Sequence, residues 1–178
     1  MSLPLIDVTE LMGHPGTSRS EVLRGTLEGL GTEVAVVPDD APIEGDLLLE
    51  SVLEGILVTG RLTGTRHLWC ARCLKEFDEP FVVRLAEMFI PEPEEDADEY
   101  PMDPTGFLDP EQMVRDAVGV ELPFSPLCRP DCLGLCPVCG GDRNHGQEPG
   151  GCEGDHPRPD PRWAELETLL EQMENHGN

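Results

Sequence analysis

Up to about residue 90, apolar positions come in short runs or alternate with polar ones, and clusters of Gly, Pro and Asp interrupt them. That is mainly the period of strands. Residues 3–8 read as a short strand, followed by a loop around His14-Pro15-Gly16. Residues 33–37, 46–53 and 56–64 read as further strands, and Pro38-Asp39-Asp40 ends the first of these. Strand character resumes at Phe77 and runs through 81–85 to Phe89-Ile90. One stretch departs from this pattern. Residues 18–30 predict a weak helix, because Ser18 and Glu21 stand at capping-box spacing, although Gly25 and Gly29 lower its propensity.

Helical spacing takes over in the second half. Asp109 can cap, Pro110 suits a first helical position and Glu111 favours the positive end of the dipole. A helix over 109–122 is predicted, with Met113, Val114, Ala117, Val118 and Leu122 on its core face and Pro123 as its stop. Asp160-Pro161-Arg162-Trp163 opens a second helix carrying Leu166, Leu169, Leu170 and Met173. Residues 91–104 are rich in Pro, Glu and Asp and hold too few apolar groups to offset ordering entropy, so a mobile acidic loop is expected. Residues 126–158 are rich in Cys and Gly, with little regular structure of their own. The predicted class is α+β: an antiparallel, barrel-like sheet with a knuckle at one hairpin, two main helices and a cysteine-rich lobe. Residues 1–125 form the β-rich core with the acidic loop and first helix. Residues 126–178 form the lobe and C-terminal helix, integrated with the core as one domain.

Composition sharpens this picture. The chain has 178 residues, 19 Gly, 18 Pro and only 4% aromatics, which implies many turns and a thin core that a bound metal would reinforce. Acidic residues outnumber basic ones 36 to 12, for a formal charge of −24. Most of such a surface repels bare phosphate and attracts basic proteins. The first seven residues lack the basic start and long apolar run of a secretion signal, and no stretch reaches the length of a membrane helix. A cytoplasmic location is expected, where closely spaced cysteines bind metal or do redox chemistry more often than they form disulfides.

All seven cysteines can serve one purpose. Cys70-Ala71-Arg72-Cys73 lies between two predicted strands, at the tip of an antiparallel hairpin. The run Cys128-x3-Cys132-x3-Cys136-Pro137-Val138-Cys139-Gly140 follows, and then Cys152. Each pair supplies half of a tetrahedral zinc site, and Gly140 relieves the turn after its second thiolate. After Cys73 stands Leu74 instead. Two allocations of ligands are open. In the first, Cys70, Cys73, Cys128 and Cys132 hold one ion, and Cys136, Cys139, Cys152 and a histidine hold a second. His156 completes finger-like spacing there, and His145 is its rival. In the second, Cys70, Cys73, Cys136 and Cys139 make a single ribbon-like site. The first gives every cysteine a role. One or two structural zinc ions are therefore expected, with no coordination position left for water.

Other chemistry is sparse. There is no phosphate-binding Gly loop and no nucleophile elbow. His14, His67 and His176 have no catalytic partner by spacing, and Glu76, Asp78 and Glu79 read as a solvated face. A thioredoxin-like role would need a thiol pair at a strand-to-helix junction, which neither pair offers. The few cations collect near the cysteines. Arg66, Arg72, Lys75, Arg129 and Arg143 are the candidates for RNA contact.

Three stretches in this order are similar to the YceD family of large ribosomal RNA subunit accumulation proteins. They are Cys70-Ala71-Arg72-Cys73-Leu74, the run from Leu122-Pro123-Phe124-Ser125-Pro126-Leu127-Cys128 to Gly140, and Asp160-Pro161-Arg162-Trp163 with its leucine-bearing helix. The resemblance spans about residues 3–173. It implies a non-enzymatic, metal-binding bacterial protein that supports accumulation of 23S ribosomal RNA and hence large-subunit biogenesis. It matches Cys70 and Cys73 to the family's hairpin pair, and Cys128, Cys132, Cys136 and Cys139 to its second cluster. Cys152 matches the first half of a terminal C-x-C, where Gly154 replaces the second cysteine. The partners this implies are ribosomal RNA or a pre-ribosomal particle. An acidic chaperone for a basic ribosomal protein, without RNA contact, is the alternative.

Overall fold

A computed structural model describes residues 2–93, 98–146 and 148–153. The chain divides into two compact units, Met1–Pro130 and Asp131–Asn178.

The first unit is built on a sheet whose middle is one long hairpin. Strand β5 (Ile56–Trp69) pairs antiparallel with β6 (Glu76–Ile90) along its whole length, from Ile56 opposite Phe89 to Trp69 opposite Glu76. Strand β4 (Ile43–Ser51) covers the first half of β5, and β2 (Ser18–Gly25) pairs with β4. The short β3 (Ala35–Val36) takes the place beside the far half of β5. Strand β7 (Tyr100–Pro101) adds in parallel to the end of β6. A separate two-stranded pair joins β1 (Ile6–Asp7) to β8 (Phe107–Leu108), and one helix, α1 (Glu111–Val120), follows.

Alternation decides which face is inside. In β4, Ile43, Leu47 and Leu49 are buried while Glu44, Asp46 and Leu48 face out. The same period places Val58 and Leu62 of β5 and Phe81, Val83, Leu85 and Phe89 of β6 inward. Helix α1 adds Met113, Val114 and Val118 to this core, with Val8 and Leu108 beside them. Asp109 accepts the Glu111 backbone N–H at 2.9 Å, and Arg115 pairs with Glu111 one turn on at 2.8 Å. Among the described residues no helix is long and apolar enough to cross a membrane.

Three expectations need correction. The sheet is open: its order is β2-β4-β5-β6-β7, and the described residues show no pairing of the end strands that would close a barrel. Residues 18–25 form a strand, not a helix, because eight register pairs with β4 outweigh a capping signal worth about 1 kcal/mol. Gly25 ends it against the Leu3 backbone, where a Cβ would lie 2.9 Å from Leu3 Cα. The second part of the acidic stretch is anchored: Tyr100–Pro101 is strand, Met102 is buried, and the Tyr100 hydroxyl donates to Asp116 at 3.0 Å. The expected second helix lies outside the described residues.

Pro80 stands within β6, where a strand proline is tolerated only at an edge. Among the described residues that stretch of β6 pairs with β5 alone.

The described residues of the second unit are held by turns and single bridges. Leu135 bridges Asp142 antiparallel, and Asp142 bridges Gly151 in parallel.

The close passage of β4 and β5 depends on Gly60, where an added Cβ would overlap the Asp46 carbonyl oxygen and approach Leu47 Cα to 3.0 Å. Gly60→Ala is expected to lower stability by about 1–3 kcal/mol, read as an earlier urea midpoint at unchanged slope. An unchanged midpoint would contradict that packing.

Candidate metal centre

The β5–β6 hairpin closes through residues 70–75, and the cysteines make that turn. The Cys70 N–H donates to the Lys75 carbonyl at 2.9 Å, and the Leu74 N–H donates to the Cys70 carbonyl at 2.8 Å. Leu74 adopts a left-handed conformation, with φ of 60°. The turn at Cys136 repeats this arrangement. There the Cys136 N–H donates to Gly141 and the Gly140 N–H to Cys136, both at 2.8 Å, and Gly140 has φ of 72°. Two unrelated stretches therefore build the same knuckle. The position after the second cysteine must turn left-handed, which glycine does freely and leucine at a cost of about 1–2 kcal/mol. Leu74 remains 65% exposed, so packing does not compensate it.

A third segment lies against the first turn. The Ala71 N–H donates to the Pro126 carbonyl at 2.8 Å, and Cys128 follows two residues on. The Cys73 and Cys128 sulfurs are 3.7 Å apart. Sulfurs at 2.3 Å from a tetrahedral ion stand about 3.8 Å from one another. The ligand atoms of Cys70, Cys73 and Cys128 all lie within 4.8 Å of one another, and Cys70 and Cys73 are buried. A second group, Cys136, Cys139 and Cys152, meets the same distance. Here the Cys152 N–H donates to the Asp142 carbonyl at 3.1 Å, and the Gly141 N–H reaches the Cys139 sulfur at 3.4 Å. Cys128 thus stands with Cys70 and Cys73, and Cys152 with Cys136 and Cys139.

Backbone N–H groups aim at these sulfurs and govern their acidity. Burial pushes the Cys70 thiol up, but backbone N–H groups of Cys128, Cys73 and Arg72 overcome it and hold the group down at about 6. At Cys136 the N–H groups of Cys139 and Val138 dominate, with the neighbouring Cys152 and Cys139 sulfurs adding to them, and the thiol again lies at about 6. A site that stabilises thiolates is suited to a soft or borderline cation, so the donor set fits a metal.

The histidines divide differently. His145 turns one ring nitrogen to Glu148 at 3.0 Å and the other to Asp142 at 3.4 Å, and it is not among the residues gathered at Cys136. Its carboxylate neighbours occupy both nitrogens. His156 lies outside the described residues. Asn144 is a participant that sequence reading missed: its amide donates to the Cys132 sulfur at 3.5 Å, while its carbonyl accepts the Leu133 N–H at 2.8 Å. An Asp-x-Asn turn carries no metal signature, so nothing in the pattern pointed to it.

The candidate cations separate as well. Arg66 is committed inside the unit, to the Glu79 carboxylate and, at 2.8 Å, to the Glu121 carbonyl. Arg143 is half-buried, and its Nε finds no acceptor among the described residues. Arg72, Lys75 and Arg129 are exposed beside the first knuckle and the segment that lies against it.

The sequence model of "Large ribosomal RNA subunit accumulation protein YceD" matches residues 58–170. Similar curated chains include uncharacterized proteins of Mycobacterium tuberculosis and Mycobacterium bovis, each 40% identical over 175 residues, covering 93% of this chain and 80% of the relative. One of Mycobacterium leprae is 38% identical over 174 residues, covering 93% and 77%. No solved structure matches the chain. The chain belongs to the YceD family.

The lowered thiols fix the direction of one pH effect. Their ordinary value is 9.0 and the folded value about 6, so the folded state binds fewer protons between those limits. The metal-free protein is therefore expected to gain stability as pH rises from 6 towards 9, and to lose it as pH falls through 6. Melting temperatures in chelator should show this slope, and Cys70→Ser with Cys136→Ser should flatten it. A slope of opposite sign would contradict the assignment.

Proposed function

We propose that this YceD-family chain is a non-enzymatic binding factor of the cytoplasm that supports accumulation of 23S ribosomal RNA during large-subunit biogenesis. In this reading zinc ties Cys70, Cys73, Cys128 and Cys132 together, and a second zinc binds Cys136, Cys139 and Cys152 with His156. The observation that carries it is the convergence of the Cys70, Cys73 and Cys128 sulfurs at the hairpin turn in a chain whose family is named for ribosomal RNA accumulation. Zinc suits an all-thiolate tetrahedron, and such a centre supplies folding energy rather than catalysis.

Arg72, Lys75 and Arg129, exposed at the surface, are the cations through which RNA would be met. On a chain of charge −24 they form a local exception, and phosphate contacts there would be steeply salt-dependent. The charge also favours a second reading, an adaptor for a basic ribosomal protein that does not touch RNA.

A strain lacking the protein should show depleted 23S relative to 16S ribosomal RNA, restored by the wild-type chain; normal 23S levels would contradict the role. Purified protein should bind a single-stranded 23S fragment with affinity that falls as salt rises. Arg72→Glu with Lys75→Glu should weaken this at least tenfold. If binding is unchanged in the double variant, these cations are not the contact.

A further inference from the structure

The outward face of the sheet carries a cavity of about 570 Å³ at the end away from the cysteine turn. Leu57 of β5 and Met88 of β6 stand opposite each other in register on that face and form its floor. Val52 and Leu53, in the turn between β4 and β5, form one wall and Pro15 another. Leu53 is 92% exposed. A lone exposed leucine means little, but one continuous with four other apolar side chains makes a patch, and patches of that kind mark interaction sites.

The charges around the cavity are of one sign. Glu50 and Glu54 line it, and no ion pair to either occurs among the described residues. The cations of the same face are elsewhere. Arg24 pairs with Glu44 at 3.2 Å and Arg61 with Asp46 at 3.3 Å. Arg84, opposite Arg61, lies four residues from Met88, or about 13 Å along the strand. The lining thus offers apolar contact and two carboxylates with no compensating cation, on a chain of charge −24.

We propose that this cavity docks a basic amphipathic segment of a partner protein. An aliphatic side chain of the partner enters between Leu53 and Met88, and flanking Lys or Arg residues pair with Glu50 and Glu54. Phosphate is repelled by the same carboxylates, so nucleic acid is the wrong occupant. The cavity lies open on a sheet face, and its charged groups are both carboxylates, beside the neutral hydroxyl residues Thr17, Ser18 and Ser51, which suits a flanked anchor better than an enclosed small molecule. The assignment rests on the surface alone. The reading above supplies only its setting, where basic proteins abound.

Fluorescence anisotropy of a short fluorescein-labelled peptide of alternating arginine and leucine tests it on the full chain. Saturable binding is expected, at least tenfold weaker in Leu53→Asp. Glu50→Gln with Glu54→Gln should weaken it several-fold and flatten its salt dependence. Val82→Ser, exposed on the same face but distant from the cavity, should change nothing. Leu53 is on the surface, so circular dichroism should show its variant folded. The proposal is overturned by any of three results: no binding, binding undiminished in Leu53→Asp, or equal binding when glutamate replaces arginine in the peptide. Displacement of the peptide by single-stranded RNA would assign the surface to RNA instead. Because 23S levels are measured separately, loss of this site and loss of the ribosomal role give different results.

Discussion

Thiolates crowded within 4.8 Å repel one another unless positive charge stands among them. Both cysteine groups are arranged as if that charge were present. Backbone N–H dipoles point at Cys70 and Cys136 and lower their thiols to about 6, but dipoles alone only begin the neutralisation. A divalent cation would complete it and convert repulsion into cohesion. A chain with 4% aromatics and 37 Gly and Pro residues (19 plus 18) has few other means of holding its turns in place.

The sheet gives those turns their positions. Strands β5 and β6 pair without interruption for fourteen residues, so the Cys70–Lys75 turn is projected from one end of a stiff ribbon while Leu57 and Met88 mark the other. The inner face of that ribbon is sealed by Val58, Leu62, Phe81, Val83 and Phe89. The outer face is left to solvent. Function is therefore sought at the two ends of one hairpin: sulfur and a few cations at the turn, an apolar cavity with carboxylates at the base.

How much of this could be read in the chain follows from where local pattern and tertiary pairing agree. The strands around 46–53, 56–64 and 81–90 alternate strictly enough to be visible, and the hairpin turn between them is marked by Cys70 and Cys73. Met113, Val114 and Val118 revealed α1 for the same reason, a clean period with a proline stop. Residues 18–25 were misread because Ser18 and Glu21 favour a helix locally while the pairing that overrules them comes from residues 43–50, which no local pattern contains. Openness of the sheet was hidden likewise, since closure depends on whether distant edges meet. At the centre, cysteine spacing named the sulfurs, yet spacing alone left their grouping open, because loop closure costs little more for a long loop than for a short one. The left-handed Leu74 and the Asn144 amide were invisible: neither residue type announces the backbone it adopts or the sulfur it reaches.

Family membership and sulfur geometry meet in one physical claim, that metal held by these cysteines organises the chain. Elemental analysis of the full-length protein purified without added metal, combined with zinc K-edge absorption, tests it most directly. The account predicts two zinc ions per chain, with sulfur neighbours at about 2.3 Å. A folded protein that carries no metal and takes up none at stoichiometric zinc would contradict it.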